Sequence, residues 1–354
     1  MDAIASGALI DDYDGIVCDL DGVVYRGEQA LPHAVGSLLW AIEVGVPVVY
    51  ATNNASRPPS EVAAHLTALG LPGPGTRVVT SAQAAARLVA QRCPLGSQVL
   101  AVGGPGVALA LENSGFVVVS PQAGRTIEPV LAVVQGYGTQ VGWTDLAEIA
   151  YAVQAGALWV ATNIDSTLPT SRGLAPGNGA LVAAVRSAVV VDPVVVGKPN
   201  TPLYELSTSV LGTDVARTLA IGDRLDTDIM GATAVGMDSL FVFGGVHNWA
   251  DLASAELAAR PRYVAMDLRS LRSAYSEAVQ DRSDASRWTC GEASAWVSSA
   301  GELVVATGGV VNDRLRAALG AVWGAAEVHG SIDPLSGDGA ALSREVDLAV
   351  KSGN

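Results

Sequence analysis

Four short polar stretches hold most of the side chains that could do chemistry: DLDG with Asp19 and Asp21, ATNN with Thr52, Asn53 and Asn54, VGKP with Lys198, and GDRLDTD with Asp223 and Asp228. Two carboxylates two residues apart at a strand end point the same way and can share a cation. An aspartate can also act as a nucleophile and become phosphorylated. A second one near the leaving oxygen can protonate it and later deprotonate an attacking water. Gly22 permits a tight turn beside them. A calcium loop of the EF-hand kind is excluded, because one starting at Asp19 would need Gly at Val24 and Glu at Ala30.

The other three stretches suit a phosphoryl group. Thr52, Asn53 and Asn54 offer a hydroxyl, amides and backbone N–H groups, all neutral donors. Lys198 offers a point charge for negative charge that develops during transfer. Asp223 could complete a magnesium shell begun by Asp19, with Asp228 binding or orienting it from behind. Each stretch alone has an ordinary structural reading: a solvated carboxylate pair, turn chemistry, a surface lysine, an acidic first helical turn. Agreement of all four in identity, order and strand-end placement points to one site.

The elements that must position them follow from the pattern. A strand is expected at Gly15–Leu20, a helix at Pro32–Val44 and a strand at Val46–Thr52. A helix should then run from Pro58 and Pro59 to near Gly70, followed by a strand at Arg77–Ser81. Alternation at this spacing predicts a parallel sheet with crossover helices, whose strand ends are where ligands bind. From Ala82 the strands QVLAVG, FVVVS, PVLAVVQG and ALWVAT can close a core of their own, as an inserted domain ending near Gly179. The series ALVAAVRSAV, VVVG, a helix from Pro202, TLAIGD and SLFVF should then complete the first sheet. The expected division is a core of 1–81 and 182–279, an α/β cap of 82–181 and a C-terminal module of 287–354. Gln280–Arg287 reads as a linker, and a hairpin should turn at Ala300-Gly301. A helix capped by Asn312 should bury Leu315, Ala318, Leu319, Val322 and Trp323, with a loose tail from Gly330.

Composition narrows the rest. The chain has 354 residues, 49% of them apolar and 5% aromatic, which suits Val-rich strands under Ala-rich helices. A net charge of −14 with no Lys/Arg block argues against nucleic acid, and requires a metal and local cations wherever a phosphate is to bind. Three cysteines (Cys18, Cys93, Cys290) without CxxC spacing and four scattered histidines argue against disulfides and zinc. The N-terminal stretch lacks a basic region before an apolar run, and no segment reaches a membrane span; a cytoplasmic location is expected. A homo-oligomer stays open.

The motifs DLDGVVYRG, ATNNAS, VGKP and GDRLDTDI resemble the four motifs of the haloacid-dehalogenase superfamily of phosphohydrolases. They are most similar to its branch of p-nitrophenyl, phosphoglycolate and glycerol-3-phosphate phosphatases. TNIDSTLP and GLAPGNGALVAAV are similar to that branch's large α/β cap, and the likeness covers roughly residues 10–270. The resemblance implies a Rossmann-like α/β core with an inserted cap; the C-terminal segment reads as a small α+β extension beyond it. It implies Mg²⁺ as cofactor and a small phosphorylated metabolite, of the glycerol 3-phosphate or phosphoglycolate type, as substrate. Asp19 would be nucleophile and metal ligand, and Asp21 general acid/base and backbone ligand. Thr52, Asn53 and Lys198 would hold the phosphoryl group with Asn54 close by, and Asp223 would be the remaining metal ligand.

Tyr137-Gly138 departs from relatives, which often carry Asp at the second of these positions; Tyr137 and the loop Asn163–Arg172 are expected to face the substrate, whereas Arg57 reads as surface. GGPG at Gly103–Gly106 lacks the full GxGxxG spacing and reads as a strand-to-helix turn. The C-terminal module is outside the resemblance. Its Gly308-Gly309 before a helix is faintly similar to the pyrophosphate loop of acyl-CoA-dependent acetyltransferases, but an accessory role is the better reading, with Trp288, Trp296 and Trp323 as core. The alternatives to a phosphatase are a non-catalytic phospho-ligand-binding regulator and a bifunctional enzyme with an acyl-CoA-related C-terminal module.

Overall fold

A computed structural model describes residues 7–71, 77–121, 129–170 and 172–352. The first six residues of the N-terminal stretch, and Ser171 of the expected substrate loop, lie outside them. By internal packing the chain divides into two compact units: Met1–Val48 with Thr213–Asn354, and Val49–Gly212.

The first unit opens with β1 (Gly15–Cys18), the two-residue strands β2 (Tyr25–Arg26) and β3 (Gln29–Ala30), and helix α1 (Ala34–Glu43). All of β1 is buried, as an apolar strand inside a parallel sheet must be.

In the second unit β4 (Val48–Thr52, its first residue counted in the first unit) is followed by α2 (Pro59–Ala68), with Pro59 at its first turn, and by β5 (Val78–Thr80), parallel to β4. Helix α3 (Ser81–Arg92) starts on a capping box between Thr80 and Gln83. The elements β6 (Gln98–Val102), α4 (Pro105–Asn113), β7 (Val117–Val119), β8 (Ala132–Gln135), α5 (Trp143–Gln154) and β9 (Leu158–Ala161) follow. A hairpin of β10 (Thr167–Thr170) and β11 (Gly173–Pro176), helix α6 (Asn178–Arg186), β12 (Val194–Val195) and α7 (Pro202–Leu211) complete the unit. Strands β12-β9-β8-β6-β7 form a five-stranded parallel sheet.

This corrects the expected return to the core. The strand VVVG pairs with β9, and α6 packs on α5, so both belong to the insert's own layer rather than to the first sheet. The reason is burial: Val182 and Val185 of α6 complete the apolar cluster of Leu100, Val133, Ile149 and Trp159.

The first unit resumes with β13 (Thr218–Gly222), a π-turn (Leu225–Ile229), α8 (Met230–Val235), β14 (Asp238–Val242), α9 (Trp249–Ala253) and β15 (Tyr263–Ala265). Strand β13 pairs parallel with β1 on one side and β14 on the other, and β14 with β15. The α/β class with parallel sheets is as expected.

The C-terminal segment departs from expectation in four ways. Gln280 already belongs to β16 (Val279–Gln280), paired with β17 (Arg287–Cys290), so the polar stretch is a turn within a sheet and not a linker. The sheet continues through β18 (Ala293–Val297) and β19 (Leu303–Val305), joined by the anticipated turn. Helix α10 (Val311–His329) has Val310 at its N-cap, while Asn312 Oδ1 accepts the Met266 N–H at 3.0 Å. The tail is not loose: α11 (Gly339–Ser352) buries Leu342 and Val346. Finally, the segment does not form a core of its own. Leu315, Leu319, Val322 and Leu342 share one apolar cluster with Ile229, Phe241, Trp249 and Leu252.

Candidate active site

Strands β1 and β13 run in register, Cys18 beside Ile221, and the Asp19 N–H donates to the Ile221 carbonyl at 2.9 Å. Both strands therefore end level, and Asp19 and Asp223 leave the same edge. The π-turn brings Asp228 to them: its N–H donates to the Arg224 carbonyl (3.0 Å), and its Oδ2 accepts the Arg224 N–H (3.1 Å). Carboxylate oxygens of Asp19, Asp223 and Asp228 lie within 4.8 Å of one another, the last two residues buried.

Three carboxylates this close repel by roughly 3 kcal/mol per charged pair at an effective dielectric near 20. A donor set made only of carboxylate oxygen fits a hard divalent cation. The surroundings fit as well. Val246 N–H donates to Asp223 Oδ2 at 2.8 Å, which fixes that carboxylate. A Cβ on Gly22 would lie 2.6 Å from Asp223 Oδ2, one on Gly245 would strike the same oxygen, and one on Gly222 would strike Asp228. Only bare backbone lets these loops close around the acids. Gly22 also has φ of 88°, a conformation that glycine adopts without strain.

Asp226, in the same motif, turns away. Burial is the largest influence on its pKa and pushes it up, but the hydrogen bonds and charge of Arg224, with His247, hold it below the usual carboxylate range. His247 accepts the Leu225 N–H on Nδ1 (3.0 Å) and so anchors the start of the π-turn. Asp21 is exposed on the loop after β1, where Gly22 N–H donates to the Tyr25 carbonyl (2.9 Å) and Arg26 donates to the Gly244 carbonyl.

In the second unit, β4 ends on buried Thr52, whose Oγ1 accepts the Asn54 N–H at 3.1 Å. Lys198 is only 4% exposed, so it is not a surface lysine, and its Nζ donates to the Ala51 carbonyl at 3.3 Å. Asn53 has a role that sequence reasoning missed. Its Oδ1 accepts the Lys198 N–H (2.7 Å), and its Nδ2 donates to the Lys198 carbonyl (3.0 Å) and Asp165 (3.4 Å). Asn54 Oδ1 accepts from Ser56 N–H and Oγ. The Asn53 amide, expected on the phosphoryl group, thus clasps protein backbone, while Asn54 uses its carbonyl oxygen to hold the turn. A Cβ on Gly197 would lie 2.7 Å from Asn53 Oδ1, so that glycine is needed for the approach.

Behind Asn53 stands a relay of amides. Its carbonyl accepts from Ser81 Oγ (2.6 Å) and Asn163 Nδ2 (2.8 Å), and the Asn163 carbonyl accepts from Asn178 Nδ2 (2.8 Å). Asn163 opens the loop expected to face the substrate, and Asn178 sits in the PGNG stretch, which carried a likeness but no assigned task. Tyr137, expected to face the substrate, is half-buried with its carbonyl on the Gly104 N–H (2.9 Å), and Arg57, which read as surface, is exposed. The GGPG turn leads into α4, and a Cβ on Gly104 or Gly106 would meet the backbone of Ser56 or Ala55 at 2.5 Å. These glycines serve packing between segments. At Gly308-Gly309 both carbonyls accept from Arg314, which turns acceptors, not the amides an anion needs, toward the guanidinium.

Comparison with known proteins gives a consistent result. A family profile described as haloacid dehalogenase-like hydrolase matches residues 16–117, and a HAD-hydrolase-like profile matches 195–271. The chain is 47% identical over 264 residues to D-glycerol 3-phosphate phosphatase of Mycobacterium tuberculosis, covering 75% of this chain and 72% of that protein. It is 36% identical to a 5′-nucleotidase of Bacillus subtilis, over 66% of this chain and 88% of that one. The structure superposes on glycerol phosphate phosphatase of M. tuberculosis in complex with magnesium with a TM-score of 0.77 at 40% identity, covering 90% of this chain and 92% of that one. No helix among the described residues is long and apolar enough to cross a membrane.

Proposed function

The chain belongs to the haloacid dehalogenase-like hydrolases, and on that premise we propose that it is a Mg²⁺-dependent phosphatase of small phosphomonoesters, with glycerol 3-phosphate as the leading substrate. The observation that carries the reading is the convergence of Asp19, Asp223 and Asp228 at the ends of β1 and β13. Its substrate class rests on the 47% identity to a D-glycerol 3-phosphate phosphatase.

In this reading Asp19, Asp223 and Asp228, with the Asp21 backbone carbonyl, hold the Mg²⁺. The ion supplies positive charge for the phosphoryl oxygens and for the Asp19 carboxylate. The Asp19 carboxylate attacks phosphorus, forming an O–P bond as the ester O–P bond breaks. Asp21 gives its proton to the leaving alkoxide. Water then attacks the aspartyl phosphate, Asp21 takes a proton from it, and inorganic phosphate leaves with the Asp19 carboxylate restored. Lys198, Thr52 and the backbone N–H groups after it neutralise the transferred group.

The test is phosphate release from glycerol 3-phosphate, phosphoglycolate, a sugar phosphate and adenosine 5′-monophosphate with Mg²⁺. Glycerol 3-phosphate should give the highest kcat/KM, and Asp19→Asn or EDTA should abolish release from all. Undiminished turnover by Asp19→Asn would remove the mechanism. A preference for the nucleotide would leave the mechanism and reassign the substrate.

A further inference from the structure

The C-terminal segment closes a second cavity in the first unit, of about 260 Å³, with Arg260, Tyr275, Trp288, Arg316 and Trp323 among its lining residues. It has no residue in common with the Asp19 cluster. Its walls are aromatic. Trp288 lies along a bare stretch of α10: a Cβ on Gly320 would meet one end of the indole at 2.5 Å, and one on Gly324 the other end at 3.0 Å. Trp323 is held by its Nε1–H on the Leu252 carbonyl at 3.3 Å.

Two guanidinium groups are stacked on rings in this wall. Arg316 lies over Tyr275 at 3.9 Å, and Arg260 over Trp323 at 5.1 Å. Arg316 is 8% exposed; its Nε donates to the Val264 carbonyl at 3.0 Å, and its Nη1 reaches Ser276 at 3.5 Å and Asp313 at 3.9 Å. Arg260 uses Nε on the Ala255 carbonyl and Nη1 on Glu327. Among the described residues neither Nη2 donates a hydrogen bond, so each arginine keeps donors for a ligand. At the rim Arg262 pairs with Glu277. Each of the three arginines has one carboxylate partner, Glu327, Glu277 and, for Arg316, Asp313, so the pocket is locally neutral on a chain of net charge −14.

We propose that this cavity binds a small anion that carries a planar ring, the chemistry of a purine mononucleotide. Indole faces accept a flat heterocycle whatever its hydrogen-bonding edge. Guanidinium forks suit phosphate oxygens, and burial of Arg316 strengthens that attraction over what water would allow. Small-molecule sites usually join apolar walls to a few convergent polar groups, and this lining offers both, tryptophan rings beside arginines.

The test is calorimetric titration of the full-length Asp19→Asn chain with adenosine 5′-monophosphate in EDTA, where no hydrolysis occurs. One saturable site is expected, tighter than for adenosine or inorganic phosphate. Arg260→Ala and Trp323→Leu should each weaken binding about tenfold or more, and Glu327→Gln, which releases Arg260, should tighten it. In the otherwise unaltered enzyme these three changes should leave hydrolysis of p-nitrophenyl phosphate unchanged. Absence of binding at millimolar nucleotide would overturn the proposal. So would binding that ignores Arg260→Ala and Trp323→Leu but is lost in Lys198→Ala, since the nucleotide would then occupy the phosphatase site.

Discussion

The side-chain amide of Asn53 pairs with the backbone of Lys198 as a second peptide would, taking its N–H at 2.7 Å and giving to its carbonyl at 3.0 Å. Lys198 follows the short strand β12, which holds it by only two residues. The clasp replaces the ladder that a longer strand would supply, and it fixes where the ammonium group points.

Asn53→Ala should therefore act through Lys198. Losing two hydrogen bonds of about 1 kcal/mol each should lower kcat/KM by roughly tenfold to a hundredfold. Asn53→Asp keeps the acceptor for the Lys198 N–H but loses the donor, and should fall between. Steady-state kinetics with glycerol 3-phosphate check this ordering, and equal activity of all three proteins would show that the clasp is idle.

The glycines around the carboxylates should control metal affinity rather than fold. A Cβ on Gly245 strikes Asp223, and one on Gly222 strikes Asp228. Gly245→Ala and Gly222→Ala should raise the half-saturating Mg²⁺ concentration by about tenfold or more. Activity titrated against Mg²⁺ measures the shift, and recovery of kcat at high Mg²⁺ separates it from misfolding.

Cys290 offers a pH readout of the C-terminal segment. Burial, followed by the charge of Asp313, pushes its thiol up to about 11 from an ordinary value of 9.0. The folded form favours the neutral thiol. The resulting stabilisation is whole below pH 9 and is lost as pH rises through about 11. Urea unfolding at pH 8 and at pH 10.5 should show this loss, and Cys290→Ala should flatten it.

Removal of residues 287–354 should unfold the first unit rather than release a free phosphatase. Trp249 is fully buried, and its Nε1–H donates to the Pro334 carbonyl at 3.0 Å. Ala349 and Val350 of α11 line a small cleft with Gly22 and Gly244, the loops beside Asp21 and Asp223. The shortened chain should lack a cooperative thermal transition. In the full chain Leu319→Ala should cost about 2–5 kcal/mol in urea unfolding.

The sequence by itself determined the parallel α/β pattern and the strand-end placement of Asp19, Thr52 and Asp223. Those features are local: an apolar run sets a buried strand, and the first polar residues after it must leave the sheet at its edge. Tertiary structure decided what local pattern leaves equal. Asp226 and Asp228 have the same side chain two residues apart, and only the π-turn with its Arg224 contacts sends the second inward and the first to Arg224. Asn53 could serve a ligand or a backbone, and the approach of Gly197 and Lys198 from 145 residues away chose the backbone. The C-terminal segment looked separable because Gln280–Arg287 read as a linker and everything from Gly330, α11 included, as a loose tail. The apolar faces of α10 and α11 lack a core of their own, and they gain one only by packing on Phe241, Trp249 and Leu252. Such choices depend on which distant surfaces exclude water together, and no window of sequence contains both sides of that contact.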